Sequence, residues 1–180
     1  MKATGIVRRI DELGRVVIPK EIRRTLRLKD GDPLEIFTDR DELMLKKYSP
    51  IATLEKFSEA TTRSLNGLSG YLAAICDTDE VLYAAGEGRK ELAGKQISEK
   101  MERILKDRRS YLANLSEGGD VVPIVDGDYR ATAQVIVPIV CGGDCLGAVT
   151  LLSSQEGAMI RSDAVNLCRL TADILANQFD

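Results

Sequence analysis

The stretch that decides the fold of the first fifty residues is Gly5-Ile6-Val7-Arg8-Arg9-Ile10-Asp11-Glu12-Leu13-Gly14-Arg15-Val16-Val17-Ile18-Pro19. Residues 5–10 alternate and are rich in β-branched side chains, residues 11–14 are typical of a turn, and residues 15–18 resume the β-branched run. This pattern predicts a β-hairpin. Pro19 ends the second strand and suits the first position of a helix.

A short helix and a second hairpin are predicted to follow. The helix runs from Lys20 to about Leu26, with Leu26 packing inward. Residues 34–37 and 43–46 alternate around a polar turn and predict a second pair of strands. The first fifty residues therefore read as two hairpins and one short helix.

Charge is divided unevenly along the 180 residues. Residues 1–50 carry 12 Lys and Arg against 9 Asp and Glu, a net charge of +3, whereas residues 51–180 carry 13 against 19, a net charge of −6. A basic segment joined to an acidic one indicates that only the first meets a polyanion. Because Pro50 disfavours helix at Ser49 and a helical pattern starts just after it, we expect domains of residues 1–50 and 51–180.

The composition excludes several classes of function. The chain has no His, so it has no Ser-His-Asp or Cys-His pair and no His-ligated metal. The longest apolar stretch, Val135 to Cys141, is too short to span a bilayer. We expect a cytoplasmic, nucleoid-associated protein with reduced cysteines, no enzymatic activity, no cofactor and no metal.

Basic residues are concentrated in the first segment. The four cations of the predicted helix lie three or four positions apart and project from one face, where Glu21 is the nearby acid. Those of the first hairpin come from adjoining strands that flank one groove. A solvated face is the alternative interpretation, but the planar fork of arginine suits phosphate oxygens and guanine edges. The candidate contacts to double-stranded DNA are Arg8, Arg9, Arg15, Lys20, Arg23, Arg24 and Arg27.

Fifty residues with one short helix bury little apolar area. Domains of this size are marginal without a disulfide, a metal or a partner subunit, and residues 1–50 contain no Cys. We therefore expect a homodimer in which the hairpins of two chains build one core. Two-fold symmetry also doubles the arginine patch.

Residues 1–26, together with residues 34–36 and 45–48, closely resemble the N-terminal domain of AbrB-type transition-state regulators. The pattern D-x-L-G-R-x-x-I-P followed by R-R is specific to this group. The resemblance implies a swapped-hairpin β-barrel dimer that binds DNA. By position, its DNA contacts are Arg8, Arg15, Arg23 and Arg24.

AbrB-type regulators have a short C-terminal tail, whereas this chain continues for about 130 residues. In this respect it is similar to sporulation transcription regulators of the same type, which carry an appended sensor-like domain. The resemblance implies a sequence-selective activator or repressor of sporulation genes. Related swapped-hairpin domains also serve as antitoxins, but the folded pattern of the tail disfavours that alternative.

The order of elements after residue 50 is similar to a GAF domain, a ligand-sensing α/β/α sandwich, so the whole chain is α+β. The predicted elements are a helix at 51–68, strands at 71–76 and 81–85, a helix near 97–105, strands at 132–141 and 146–152, and a helix at 160–179.

The first and last helices of this module carry wide apolar stripes. If part of each stripe packs against a second copy, the two interfaces of each chain close a tetramer; if both stripes only cover the sheet, the protein is a dimer. A small-molecule pocket is expected in the sandwich, with Tyr83, Tyr111 and Arg130 as candidate lining residues. The ligand itself is not identified by the sequence.

A thiol redox enzyme or sensor is the alternative function. Cys141 and Cys145 bracket a Gly-Gly turn and face each other if the hairpin aligns them. Their spacing differs from that of zinc or thioredoxin motifs, and small buried hydrophobic residues are the more ordinary interpretation.

Overall fold

The computed structural model describes residues 5–127 and 129–179. The chain forms two compact units, divided between Tyr48 and Ser49. The first unit contains a short helix and one hairpin: α1 (Lys20–Thr25), β1 (Leu34–Asp39) and β2 (Glu42–Lys47).

Residues 5–19, which predict the first hairpin, form a turn without a strand ladder in the single chain. The turn is closed by bonds from the Asp11 N–H to the Arg15 carbonyl at 3.1 Å and from the Gly14 N–H to the Asp11 carbonyl at 3.0 Å. An isolated two-stranded hairpin is marginal in water. The expected strands at 5–10 and 15–18 are therefore absent from the single chain, although their turn is present.

The second unit is a five-stranded antiparallel sheet between two layers of helices and loops. Its helices are α2 (Pro50–Thr53), α3 (Glu55–Ser69), α4 (Arg89–Leu92), α5 (Glu99–Asp107) and α6 (Ser162–Ala176). Its strands are β3 (Leu72–Cys76), β4 (Val81–Ala85), β5 (Tyr111–Asn114), β6 (Ala133–Cys141) and β7 (Asp144–Ser153). The strand order is β4-β3-β7-β6-β5.

Each face of the sheet has its own apolar core. Ile75, Val135 and Leu151 point to the face that α3 and α6 cover. Ile136 and Leu152 point to the opposite face, where they pack with Met101 of α5 and other apolar residues. Because successive side chains of a strand alternate between faces, the continuous apolar runs of β6 and β7 supply both cores.

Local signals set the ends of several elements. Gly70 ends α3 with a positive φ of 73° and donates its N–H to the Asn66 carbonyl at 2.8 Å. Gly142 and Gly143 both have positive φ, as a two-residue hairpin turn between β6 and β7 requires. At the start of α5, the Ser98 hydroxyl accepts the Met101 N–H at 3.1 Å.

Candidate nucleic-acid interface

The seven predicted DNA contacts all lie at the start of the first unit. The segments on either side of the turn, residues 5–10 and 15–18, are called the two arms. Arg8 and Arg9 lie in the first arm, and Arg15 begins the second. Pro19 precedes α1, which carries three more of the predicted contacts: Lys20, Arg23 and Arg24. These three lie on neighbouring positions of the helix surface, as the spacing predicts.

Arg27 lies outside the helix. α1 ends at Thr25, and Arg27 has a positive φ of 51°. The expectation that four cations share one helix face is therefore wrong for Arg27, because the chain has left the helical conformation before it. Leu26, expected to pack inward, is 55% exposed in the single chain.

Arg15 is held by Asp11. The Asp11 Oδ2 accepts the Arg15 Nε at 2.8 Å, and its Oδ1 accepts the backbone N–H groups of Arg15 at 2.8 Å and Leu13 at 3.0 Å. The backbone N–H and then the side chain of Arg15 hold the pKa of Asp11 below its usual value. The carboxylate is therefore ionised at neutral pH, when the guanidinium is also charged.

Arg23 makes a different contact. Its terminal Nη1 donates to Asp30 Oδ1 at 3.0 Å, whereas its Nε is buried with no hydrogen-bond partner among the described residues. Within the same part of the chain, Lys20 and Arg24 are exposed and form no ion pair. The helix therefore presents Lys20 and Arg24, which no carboxylate of the described residues engages, beside Arg23, which Asp30 engages.

An apolar groove of about 580 Å³ opens in the same unit. Its apolar walls come from both arms, from α1 and from β2. The lining residues are Ile6, Arg8, Val16, Val17, Ile18, Pro19, Ile22, Leu26, Leu28, Leu43, Leu45, Lys46 and Lys47. Val17 is 73% exposed in the single chain. A groove lined in this way leaves much apolar surface in contact with water.

The three candidate ligand contacts are not brought together. Tyr83 packs against the core beneath α3 and α6, whereas Tyr111 packs against the opposite core and its hydroxyl donates to the Asp120 carbonyl. Arg130 is exposed. Burial, and then the nearby Glu55, raises the pKa of Tyr83.

Cys141 and Cys145 lie on opposite faces of the sheet. Cys145 pairs with Val140 across the hairpin, so it shares the face of Val140 rather than that of the next residue, Cys141. Accordingly, Cys141 packs against one core and Cys145 against the other. Burial also raises the pKa of the Cys145 thiol, which lowers its reactivity. The expectation that the two thiols face each other is wrong, and the redox alternative has no support.

Two further features bear on chemistry and location. Among the described residues, no three metal-ligating side chains come close enough to hold an ion. Over the same residues, no helix has both the length and the apolar character needed to cross a membrane.

The two acidic partners of the arginines were not predicted from the sequence. The sequence pattern places Asp11 in the turn and gives no role to Asp30. A carboxylate four residues before an arginine, across a turn that ends in Gly, is a signal that identifies the first pair. The second pair joins residues seven apart and depends on where α1 ends.

Comparisons with known proteins find matches for both units of the chain. The family model described as "Stage V sporulation protein T C-terminal, transcription factor" matches residues 53–180. The model described as "Antidote-toxin recognition MazE, bacterial antitoxin" matches residues 7–53.

Two proteins of Bacillus subtilis (strain 168) are similar to this chain. "Stage V sporulation protein T" is 48% identical over 157 residues, which cover 87% of each chain. "Transition state regulatory protein AbrB" is 50% identical over 72 residues, which cover 40% of this chain and 75% of AbrB. The resemblance of the N-terminal segment to AbrB-type regulators is confirmed.

The second unit has the fold of a GAF domain. The GAF domain of an Acinetobacter phosphoenolpyruvate-protein phosphotransferase matches with a TM-score of 0.57 at 10% identity, covering 73% of this chain and 82% of that one. At this identity the likeness concerns the fold alone. It confirms the α/β/α sandwich expected from the order of elements.

Fold, basic N-terminal unit and relatives together define a class of protein: DNA-binding transcription regulators that join an AbrB-like domain to a GAF-like module. Within this class, the chain belongs to the stage V sporulation protein T family of transcription factors.

Proposed function

We propose that this regulator binds double-stranded DNA sequence-selectively as a homo-oligomer, through basic residues contributed by two N-terminal units, and thereby activates or represses sporulation genes. The protein acts in the cytoplasm on the nucleoid, without catalysis. The proposed contacts are Arg8, Arg9, Arg15, Lys20, Arg23, Arg24 and Arg27.

The observation that carries this proposal is the uncovered groove beside the basic residues. The arms on either side of it form no ladder in the single chain, and Arg8 itself lines the groove. A second chain whose arms fill the groove buries the apolar walls and supplies strand partners to arms that form no ladder among the described residues. It also doubles the +3 net charge of residues 1–50 on one assembly. These observations support the proposal of a swapped-hairpin dimer in residues 1–50, with the sensor module in residues 51–180.

The second interface is proposed on the outer side of α3 and α6. Both helices cover the sheet, yet Phe57 and Leu68 of α3 are 41% and 75% exposed, and Leu170 and Ile174 of α6 are 58% and 40% exposed. These residues are the part of the two apolar stripes that the sheet does not cover. Packing them against a second copy, together with the N-terminal interface, closes a tetramer.

The GAF-like module is proposed to sense a small ligand. The side chain of Gln134 is fully buried; its Oε1 accepts the Val122 N–H at 2.6 Å, while its Nε2 has no partner within the described residues. A buried amide donor without a partner is uncommon, and this supports the proposal that a polar ligand atom binds in the module. Thermal melts with a panel of metabolites test this role, because a ligand at 100 times its dissociation constant adds about 2.7 kcal/mol. If neither the metabolites of the panel nor a cell extract raises the melting temperature, the ligand-sensing role is contradicted.

The DNA-binding site is tested with the full-length chain and matched charge removals. A duplex selected by the protein from a random pool serves as the specific probe. We expect Arg24→Gln to abolish sequence-specific binding. In the residual non-specific binding, the slope of log affinity against log salt is expected to fall in magnitude by about 2, since a dimer loses two phosphate contacts. The control is Arg40→Gln, which removes the same charge from the β1–β2 turn. Equal effects of the two substitutions contradict the proposed site.

A further inference from the structure

Asp11 joins the two arms at their turn through hydrogen bonds of both its backbone and its carboxylate. Its backbone N–H donates to the Arg15 carbonyl and its carbonyl accepts the Gly14 N–H. Its carboxylate accepts two further backbone N–H groups and, at 2.8 Å, the Arg15 Nε. The backbone bonds alone close the turn, so the bond to the Arg15 Nε fixes the direction of that side chain as well.

The atom that Asp11 binds decides what the guanidinium can do. A bond to Nε leaves the two terminal nitrogens of Arg15 without a hydrogen bond or ion pair to any of the residues that the structure describes, and the side chain is 71% exposed. Arginine contacts phosphates and guanine edges with two parallel N–H groups. Arg23 is the contrasting case, because Asp30 occupies one of its terminal nitrogens.

We propose that Asp11 is a positioning residue for DNA recognition: it holds the Arg15 guanidinium by Nε so that the terminal nitrogens are presented, already oriented, to the duplex. This inference rests on the proposed function, in which Arg15 contacts DNA. An oriented side chain loses less conformational freedom on binding than a free one.

The sign of the effect separates positioning from simple electrostatics. A carboxylate beside a polyanion repels it, so removing the charge alone strengthens binding. Removing a positioning residue weakens specific binding, although the same negative charge has gone. Asn at position 11 keeps a side-chain oxygen for the turn, so Asp11→Asn changes the ion pair with little change to the fold.

The experiment measures affinity for the selected duplex and for a scrambled duplex, using full-length wild-type, Asp11→Asn, Glu12→Gln, Arg15→Ala and the Asp11→Asn/Arg15→Ala double variant. Glu12→Gln is the matched control, because it removes the same charge one residue away. We expect Asp11→Asn to weaken binding to the selected duplex about tenfold, since two Arg15 side chains of a dimer lose their restraint. Binding to the scrambled duplex is expected to be unchanged or stronger. In the Arg15→Ala background, Asp11→Asn is expected to cause no further loss.

The outcomes distinguish this inference from the proposed function. Asp11→Asn that strengthens specific binding as much as Glu12→Gln, while Arg15→Ala still weakens it, overturns the positioning role alone. Arg15→Ala and Arg24→Gln that both leave affinity unchanged overturn the interface itself. A loss that persists in the Arg15→Ala background shows that Asp11 acts through the fold and overturns the inference, as does an equal loss on both duplexes.

Discussion

The groove of the N-terminal unit gives a quantitative prediction for Val17→Ala. The substitution removes two methyl groups, each worth about 0.8 kcal/mol when buried. Val17 is 73% exposed in the single chain, so its burial by a partner chain recovers about 1.2 kcal/mol per protomer from these groups. The dimer buries Val17 of both protomers, so this free energy enters twice. We therefore expect association through the N-terminal units to weaken by about 2.3 kcal/mol, which is about 50-fold in the dissociation constant.

Sedimentation velocity over a range of protein concentrations measures this constant. The full-length chain is used in an Ile174→Glu background, which removes the proposed α3–α6 interface and leaves association to the N-terminal units. The matched control is Val140→Ala, the same change at a residue of β6 that is 37% exposed. A dissociation constant for Val17→Ala within twofold of the control value refutes the idea that a partner chain fills the groove.

Three further predictions concern other contacts. Asp30→Asn is expected to strengthen DNA binding about twofold to fivefold in a gel shift, because it frees Nη1 of Arg23 and removes a negative charge; weaker binding contradicts this. Ile174→Glu alone is expected to convert tetramers into dimers by mass photometry while leaving DNA affinity of the dimer intact; persistent tetramers place the second interface elsewhere. Gly147→Ala is expected to destabilise the GAF-like module by about 1–3 kcal/mol in urea unfolding, because its Cβ would lie 2.0 Å from the Cys76 carbonyl oxygen; an unchanged midpoint shows that this close approach relaxes freely.

Much of the second unit follows from periodicity. The apolar runs at residues 132–141 and 146–152 predict β6 and β7 within two residues, because both strands are buried and long. The short elements α4 and β5 have only four residues each. Four residues do not complete a recognisable helical or strand period, so their positions depend on tertiary contacts that the local sequence does not record.

The first hairpin shows the opposite limit. Alternation at residues 5–10 and 15–18 marks surfaces that need covering, but it does not say which chain covers them. In the single chain the turn forms from local bonds of Asp11, while the arms remain without a ladder. The residue types of the interface could thus be read from sequence. The carboxylate contacts of Arg15 and Arg23 depend on the geometry of the turn and on where α1 ends. These contacts were therefore found only in the structure.

Association and DNA binding are linked in this proposal. Raising the protein concentration distinguishes a variant that fails to associate from one that lacks a DNA contact. Val17 and Arg8 line the same groove, so the step that covers the apolar walls also assembles the cations of two chains. Mass action then requires that DNA binding lost in Val17→Ala return when the protein concentration is raised about 50-fold. Binding lost in Arg24→Gln must not return, because that variant still associates but lacks the contact. If raising the concentration rescues both variants, or neither, assembly of the groove does not control access to DNA.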